Sequence, residues 1–208
     1  MTSSGFLAEG QHRRAEGLLH RYCDSVYRHA ALIAVTSPGM ADLIIARGVD
    51  SRKISVIPNW ADERHFQPAL PSPDIVKKLG PFRPFTVMYA GAMGEVQALD
   101  VLIDAAEILR NQRDIGFLLV GGGVSERSLK ARASDARLDN VRFLGHQPVE
   151  RMAEVLSLGD AQIISLKDLP IFRTTLPSKI QATLAAGRPS LVRSPVTGEP
   201  SSVNRAWD

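Results

Sequence analysis

The sequence contains little cysteine and no long apolar run. Cys23 is the only cysteine among 208 residues, which excludes a disulfide within the chain and a cysteine-based zinc site. This usage is typical of a reducing compartment. No apolar run reaches the ~18 residues of a membrane-spanning helix, and the first residues lack the apolar core of a signal peptide. We therefore expect a cytoplasmic protein.

A strong excess of one charge is also missing. Lys and Arg number 25 against 22 Asp and Glu, and the formal net charge of +3 is spread along the chain. This mild basicity suits anionic small molecules or an anionic membrane surface, and we expect no nucleic-acid partner. The spacing of apolar residues predicts a helix over 11–30 whose other face is basic. That face either contacts the inner membrane peripherally or is simply solvated.

Short apolar runs alternate with helical patterns along most of the chain. Runs over 85–90, 115–120, 141–144 and 161–166 predict strands, and 190–192 predicts the start of a fifth. This alternation predicts an α/β fold with a Rossmann-like, doubly wound parallel sheet. Earlier in the chain, strands predicted over 31–35 and 53–57 flank a helix over 39–47. They indicate the tail of a second Rossmann-like domain.

Proline marks the boundary between these two parts. Five prolines fall within 67–84, a composition typical of a linker between domains. We therefore predict a first domain over 1–66, a linker over 67–84 and an incomplete second domain over 85–208. Residues 194–208 do not continue the alternating pattern. We expect a fragment that lacks the front of the first domain and the end of the second.

Glycine-rich turns follow the predicted strands. The turn 91–94 joins a strand to a helix, where backbone N–H groups and the helix dipole favour an anion. A tight turn alone would also select glycine there. Ligands of open parallel sheets bind beyond the carboxyl ends of the strands. We therefore expect one cleft to collect the loop 167–179 and these residues: Gly91, Ala92, Met93, Gly94, Gly121, Gly122 and His146.

The segment before the last predicted helix carries a lysine in an unusual place. Lys179 lies near a helix N-terminus, where the helix dipole disfavours positive charge. A bound phosphate would remove this conflict, whereas an exposed lysine that turns towards solvent would avoid it. The hydroxyls of Thr174, Thr175 and Ser178 precede it. His146 is either an ordinary loop residue or a participant in the chemistry of this cleft.

The order of these motifs resembles the family 4 glycosyltransferases of the GT-B fold. The run ending in VIPNW is similar to the end of their acceptor domain, and YAGAMGEVQALDVLIDAA is similar to the first strand and diphosphate loop of their donor domain. FLLVGGG and VRFLGHQPVERMAEVLSLGDAQIISL resemble the middle of that domain. LPSKIQATLAAGRPSLV resembles the segment that holds the nucleotide sugar in members that build bacterial polysaccharides.

The resemblance implies a two-domain enzyme that transfers a sugar, with retention, from a nucleotide-sugar donor. The implied acceptor is a saccharide or a lipid-linked sugar in polysaccharide or cell-envelope biosynthesis, and no metal or other cofactor is expected. Gly91 and Gly94 would border the donor diphosphate. Contacts with phosphate or sugar would come from Lys179 or the hydroxyls of Thr174, Thr175 and Ser178. No catalytic residue is assigned.

One departure of the sequence from the family pattern concerns a pair of positions. Many members carry two glutamates that flank the last segment, and the matching positions here hold Thr174 and Ala182. A truncated, non-catalytic remnant or binding module of the same fold is therefore one alternative. The other is an NAD(P)-dependent oxidoreductase, for which the first loop offers G-x-x-G in place of G-x-G-x-x-G.

Overall fold

The computed structural model describes residues 9–80 and 82–193, with the side chains of 9–16 and 171 left aside. Contacts between α-carbons divide the chain into two compact units, one up to Pro58 and one from Asn59 onward. The segment 194–208, which we predict not to continue the alternating pattern, lies outside the described residues.

The first unit contains two helices and two short strands. They are α1 (Glu9–His29), β1 (Ile33–Val35), α2 (Pro38–Ile45) and β2 (Ile54–Val56). The strands pair in parallel, as βαβ connectivity requires. Helix α2 begins at Pro38 because the Met40 N–H donates to the Ser37 hydroxyl at 3.2 Å and caps the first turn. Across the described residues, none of the helices has both the length and the apolarity to cross a bilayer.

The second unit is a five-stranded parallel sheet with helices between the strands. Its strands are β3 (Phe85–Ala90), β4 (Ile115–Val120), β5 (Val141–Gly145), β6 (Ala161–Ser165) and β7 (Ser190–Arg193). Its helices are α3 (Pro73–Leu79), α4 (Asp100–Ile108), α5 (Glu126–Asp135), α6 (Met152–Leu156) and α7 (Lys179–Ala185). The predicted α/β fold and parallel sheet are confirmed, and 190–193 does form the fifth strand.

The order of the strands places a crevice between β3 and β6. The sheet runs β5-β4-β3-β6-β7, so the chain builds outward from β3 in one direction and then returns to build from β6 in the other. The connections on the two sides of β3 therefore leave the carboxyl edge in opposite directions. In open α/β sheets this switch point is where ligands bind.

Both faces of the sheet are covered, which explains why its strands are nearly continuous apolar runs. Val87 and Tyr89 pack with α4 and α5 on one face. Met88 and Leu118 pack with α3 and α6 on the other. Because alternate residues of a strand point to opposite faces, a strand buried on both faces has no polar alternation. The sheet is doubly wound, as predicted.

The segment that we predict as a linker, 67–84, contains the helix α3. Pro73 stands in its first turn, and Gly80 follows it with φ +70°. Ile75 is buried against the sheet face that also holds Met88. Arg151 adds an ion pair to Asp74 at 2.9 Å. Pro73 begins a packed helix here, since proline at the first helical position lacks only an N–H that would be unpaired.

Candidate functional site

A cleft of about 600 Å³ lies at the carboxyl edge of the second unit. Its walls come from the turns after β3, β4 and β5, from β6 and from the first turns of α7. The position is the switch point between β3 and β6. The following residues line it: Trp60, Ala61, Phe66, Ala90, Gly91, Ala92, Val120, Gly121, Gly122, His146, Gln147, Met152, Leu156, Gln162, Ile163, Ile164, Ser178, Lys179, Ala182 and Thr183.

The two glycine turns at the floor of this cleft are joined by backbone hydrogen bonds. The Met93 N–H donates to the Gly122 carbonyl at 2.8 Å, and the Ser125 N–H donates to the Met93 carbonyl at 2.9 Å. Gly121 has φ +119°, and a Cβ there would overlap the carbonyl oxygen of Gly91. Glycine is required at 121 both by this conformation and by the contact between the two turns.

The backbone N–H groups of the turn 91–94 are largely used within the protein. The Gly91 N–H donates to the Val120 carbonyl at 2.9 Å. The Met93 N–H is bonded to the second turn, and the Gly94 N–H donates to Gln97 Oε1 at 3.0 Å. We expected these groups to face an anion, and three of the four are already satisfied. The positive charge that the cleft offers to a ligand therefore comes mainly from a side chain.

That side chain is Lys179, which is half-buried at the start of α7. Its Nζ donates to the Tyr89 hydroxyl at 2.5 Å and lies 4.0 Å from the centroid of the Tyr89 ring. Burial lowers the pKa of Lys179 from 10.5 to about 8. Among the described residues, no carboxylate forms an ion pair with Lys179. The ion pairs that these residues do form include surface pairs such as Lys130–Glu126 and Arg151–Asp74. Because buried charges in proteins are usually paired, this half-buried ammonium is a candidate site for an anion.

The structure brings together seven of the eleven predicted site residues. Those in the cleft wall are Gly91, Ala92, Gly121, Gly122, His146, Ser178 and Lys179. Met93 is fully buried in the core and does not line the cleft. Gly94, Thr174 and Thr175 do not belong to the wall. The two threonines are half-buried in the loop that precedes α7.

Sequence reasoning missed several residues of the wall, above all Trp60. This indole is 78% exposed although it lines the cleft, which is unusual for so large an apolar side chain. It ends the VIPNW run that we assigned only to the first domain. Gln147 and Thr183 are further polar residues of the wall that no sequence motif indicated. Asn59 adds a hydrogen bond from its side chain to the Leu176 carbonyl at 3.4 Å.

The described residues contain no group of three or more His, Cys, Asp or Glu side chains arranged to hold a metal ion. The cleft is lined by apolar groups, amides, hydroxyls and one ammonium. A Rossmann-like sheet with a cleft at its switch point and a lysine over its first glycine turn places the chain among the doubly wound α/β proteins.

Two family models assign the chain more narrowly. Residues 84–205 match the family described as Glycosyl transferases group 1, and residues 1–60 match a Glycosyl transferase 4-like domain. The chain belongs to the group 1 glycosyltransferases, which confirms the family that the motif order resembles.

Individual relatives and solved structures resemble the chain over part of their length. The chain is 26% identical over 198 residues to a protein of Escherichia coli (strain K12) named as a colanic acid biosynthesis glycosyl transferase, WcaI, and covers 46% of it. Sucrose-phosphate synthase from Thermosynechococcus elongatus superposes with a TM-score of 0.64 at 21% identity, over 83% of this chain and 43% of the synthase. Anabaena Alr3699/HepE in complex with UDP and glucose superposes with a TM-score of 0.60 at 20% identity, over 79% of this chain and 45% of HepE. The chain thus spans about half the length of these proteins.

Proposed function

We propose that the second unit binds a nucleotide sugar and that the protein transfers the sugar to an acceptor. The acceptor would be a saccharide or a lipid-linked sugar in polysaccharide or cell-envelope biosynthesis. Residues 85–208 would form the donor-binding domain and residues 1–66 the end of the acceptor-side domain. This proposal extends the family membership to the activity, substrates and partners of the whole protein.

One observation carries the proposal: Lys179 is half-buried in the cleft, and the described residues give it no carboxylate partner. The leaving group of a sugar transfer from a nucleotide donor is a nucleoside diphosphate. An ammonium placed at the diphosphate stabilises the negative charge that develops as the glycosidic bond breaks. The absence of a side chain at Gly91 leaves room for this lysine beside the first glycine turn.

The donor and its stereochemistry rest on the family. HepE is described as a complex with UDP and glucose, and we propose a uridine or other nucleoside diphosphate sugar as the donor here. We propose retention of the anomeric configuration, as the resemblance implies. Proton NMR of the product distinguishes retention from inversion through the coupling constant of its anomeric proton.

Charge neutralisation by Lys179 leads us to propose that the donor binds without a metal ion. Gly91, Ala92, Gly121, Gly122, His146 and Ser178 would surround the donor in the cleft. Gly94, Met93, Thr174 and Thr175 would support these residues from behind the wall. Removing divalent cations with EDTA is expected to leave the affinity for UDP unchanged, and a tenfold loss would contradict this part of the proposal.

Calorimetric titration of the 208-residue chain with UDP, GDP, ADP and NAD tests the donor site. We expect one nucleoside diphosphate to bind and NAD not to bind. Binding of NAD alone would support the oxidoreductase alternative instead. If none binds while the chain shows a cooperative thermal melt, the chain is the folded, non-catalytic remnant. If a nucleoside diphosphate does bind, transfer of a labelled sugar from the matching donor to a lipid-linked acceptor would exclude the remnant.

A further inference from the structure

Tyr89 carries a hydroxyl into a hydrophobic core of the second unit. It lies near the end of β3, and its side chain is 0% exposed. Its ring packs in the core between the sheet and the helices α4 and α5. Phenylalanine would fill the same space without bringing a hydroxyl that needs hydrogen-bond partners. The presence of a hydroxyl here therefore calls for a reason other than packing.

The hydroxyl of Tyr89 has two partners, and both belong to residues of the cleft wall. It donates to the carbonyl oxygen of Ala92 at 2.5 Å and accepts from Lys179 Nζ at 2.5 Å. Burial raises the pKa of Tyr89 above its usual value, so the hydroxyl stays neutral and keeps both bonds. One side chain thus joins the first glycine turn to the lysine of α7.

The ring of Tyr89 holds the same lysine by a second contact. Lys179 Nζ lies 4.0 Å from the ring centroid, within the range of a cation–π interaction. A lysine has a flexible four-carbon stem and three N–H donors. Tyr89 takes one donor and restrains the stem, which leaves the remaining N–H groups for an anion. The absence of a side chain at Gly91 lets the lysine adopt this position.

We propose that Tyr89 is a positioning residue of the donor site. Its hydroxyl and ring hold the Lys179 ammonium over Gly91, where it meets the diphosphate of the nucleotide sugar. This inference rests on the proposed function of the cleft. Tyr89, a core residue of β3, orders the side chain of Lys179 before the ligand arrives. Less rotamer entropy of the lysine is therefore lost on binding.

The test is a double-mutant cycle on the full chain with UDP as the ligand. Tyr89→Phe keeps the ring and removes only the hydroxyl, and we expect UDP affinity to fall by about 3- to 10-fold. Lys179→Met removes the ammonium. If Tyr89 acts through Lys179, adding Tyr89→Phe to Lys179→Met lowers the affinity by less than about 2-fold. Tyr22→Phe removes a hydroxyl from an exposed ring of the first unit and serves as the matched control.

A spectroscopic measurement separates positioning from a loss of fold. Nitrogen-15 NMR should detect the Lys179 ammonium of the UDP complex, because a held ammonium exchanges its protons slowly with water. We expect this signal to broaden in Tyr89→Phe while the thermal melt remains cooperative. The inference would be overturned if Tyr89→Phe lowered UDP affinity equally in the unmodified chain and in Lys179→Met, or lowered it in neither. The proposed donor site would not be affected by that result. Failure of the unmodified chain to bind UDP, GDP or ADP would overturn the proposed function and the inference with it.

Discussion

The side chain of Lys179 lies over the α-carbon of Gly91. A Cβ built on Gly91 would stand 2.6 Å from both Cε and Nζ of the lysine, closer than real Cβ contacts allow. The glycine supplies space and the lysine supplies charge, although the two belong to elements that are far apart in the sequence. Substitutions at the two positions should separate these two contributions.

Replacing the lysine should weaken binding of a diphosphate without unfolding the protein. For Lys179→Ala we expect the free energy of UDP binding to fall by about 1–3 kcal/mol, the range for hydrogen bonds to charged groups. Calorimetry measures the change directly. The matched control is Lys130→Ala, because Lys130 forms an exposed ion pair with Glu126 at 2.7 Å outside the cleft. Unchanged affinity in Lys179→Ala would remove this residue from the site.

A methyl group at Gly91 should act on the lysine more than on the fold. The methyl would meet the flexible end of the Lys179 side chain, which moves aside but then leaves the Tyr89 hydroxyl. We therefore expect Gly91→Ala to weaken UDP binding at least as much as Lys179→Ala. Because Gly91 has φ +137°, we also expect a lower melting temperature.

Gly48→Ala is the control for the cost of the backbone conformation. Gly48 has φ +86°, and a Cβ there meets nothing within 4 Å. Its substitution should cost about 1–2 kcal/mol of stability from the left-handed conformation alone. Thermal melts of both variants, followed by UDP titration, distinguish the effects. If Gly48→Ala and Gly91→Ala bind UDP equally well, the contact with Lys179 has no role in binding.

The sequence was sufficient to predict the sheet, because strands buried on both faces appear in the sequence as short, continuous apolar runs. Residues such as Met88 and Leu118 make continuous apolar runs that end in glycine turns. Ligands of open sheets bind at the carboxyl ends of the strands, so the sequence predicted that Gly91, Gly121 and His146 share one edge. In the structure these three residues line one cleft. Element order and the edge at which the turns meet thus follow from local patterns.

Contacts between distant side chains left no comparable signal. Tyr89 looks like any aromatic core residue of a strand, and nothing in its spacing indicates that its hydroxyl meets Lys179. Helix α3 was obscured because its prolines favour a linker, while the packing of Ile75 that stabilises it depends on the other elements. The hydrogen bonds that occupy the N–H groups of 91–94 likewise come from the second turn and from Gln97.

The affinity for a nucleotide sugar should depend on pH through Lys179. Burial lowers the pKa of this lysine to about 8, so the ammonium that binds the diphosphate is present below that pH and lost above it. Binding should therefore be constant from pH 6.5 to 7.5 and weaken by up to about tenfold per unit above pH 8. Calorimetry with a UDP-sugar measures this profile, and Lys179→Met should flatten it.

The contribution of Lys179 to stability cannot account for the same profile, because that contribution changes in the opposite direction. The unfolded chain has a lysine with its usual pKa of 10.5 and so binds more protons than the folded chain between about pH 8 and 10.5. The contribution of Lys179 to stability therefore increases as the pH rises through this window. A melting temperature that falls together with affinity would contradict the assignment of the profile to this residue.

Trp60 should report on ligand binding by its fluorescence. The indole lines the cleft and is 78% exposed, so a nucleotide that enters the cleft will cover it and change its emission. The sequence contains two tryptophans, Trp60 and Trp207. In Trp207→Phe, Trp60 is the only emitter, and we expect UDP to change the emission with the Kd found by calorimetry.

The complementary variant decides where the signal arises. Trp60→Phe retains Trp207 and should lose the response to UDP while still binding it, since phenylalanine preserves an apolar ring in the wall of the cleft. Trp60→Ala should weaken binding by about 0.5–1.5 kcal/mol if the indole stacks on a ring of the ligand. A full fluorescence response in Trp60→Phe would mean that the ligand does not approach Trp60, and that the cleft is occupied only at its Lys179 end.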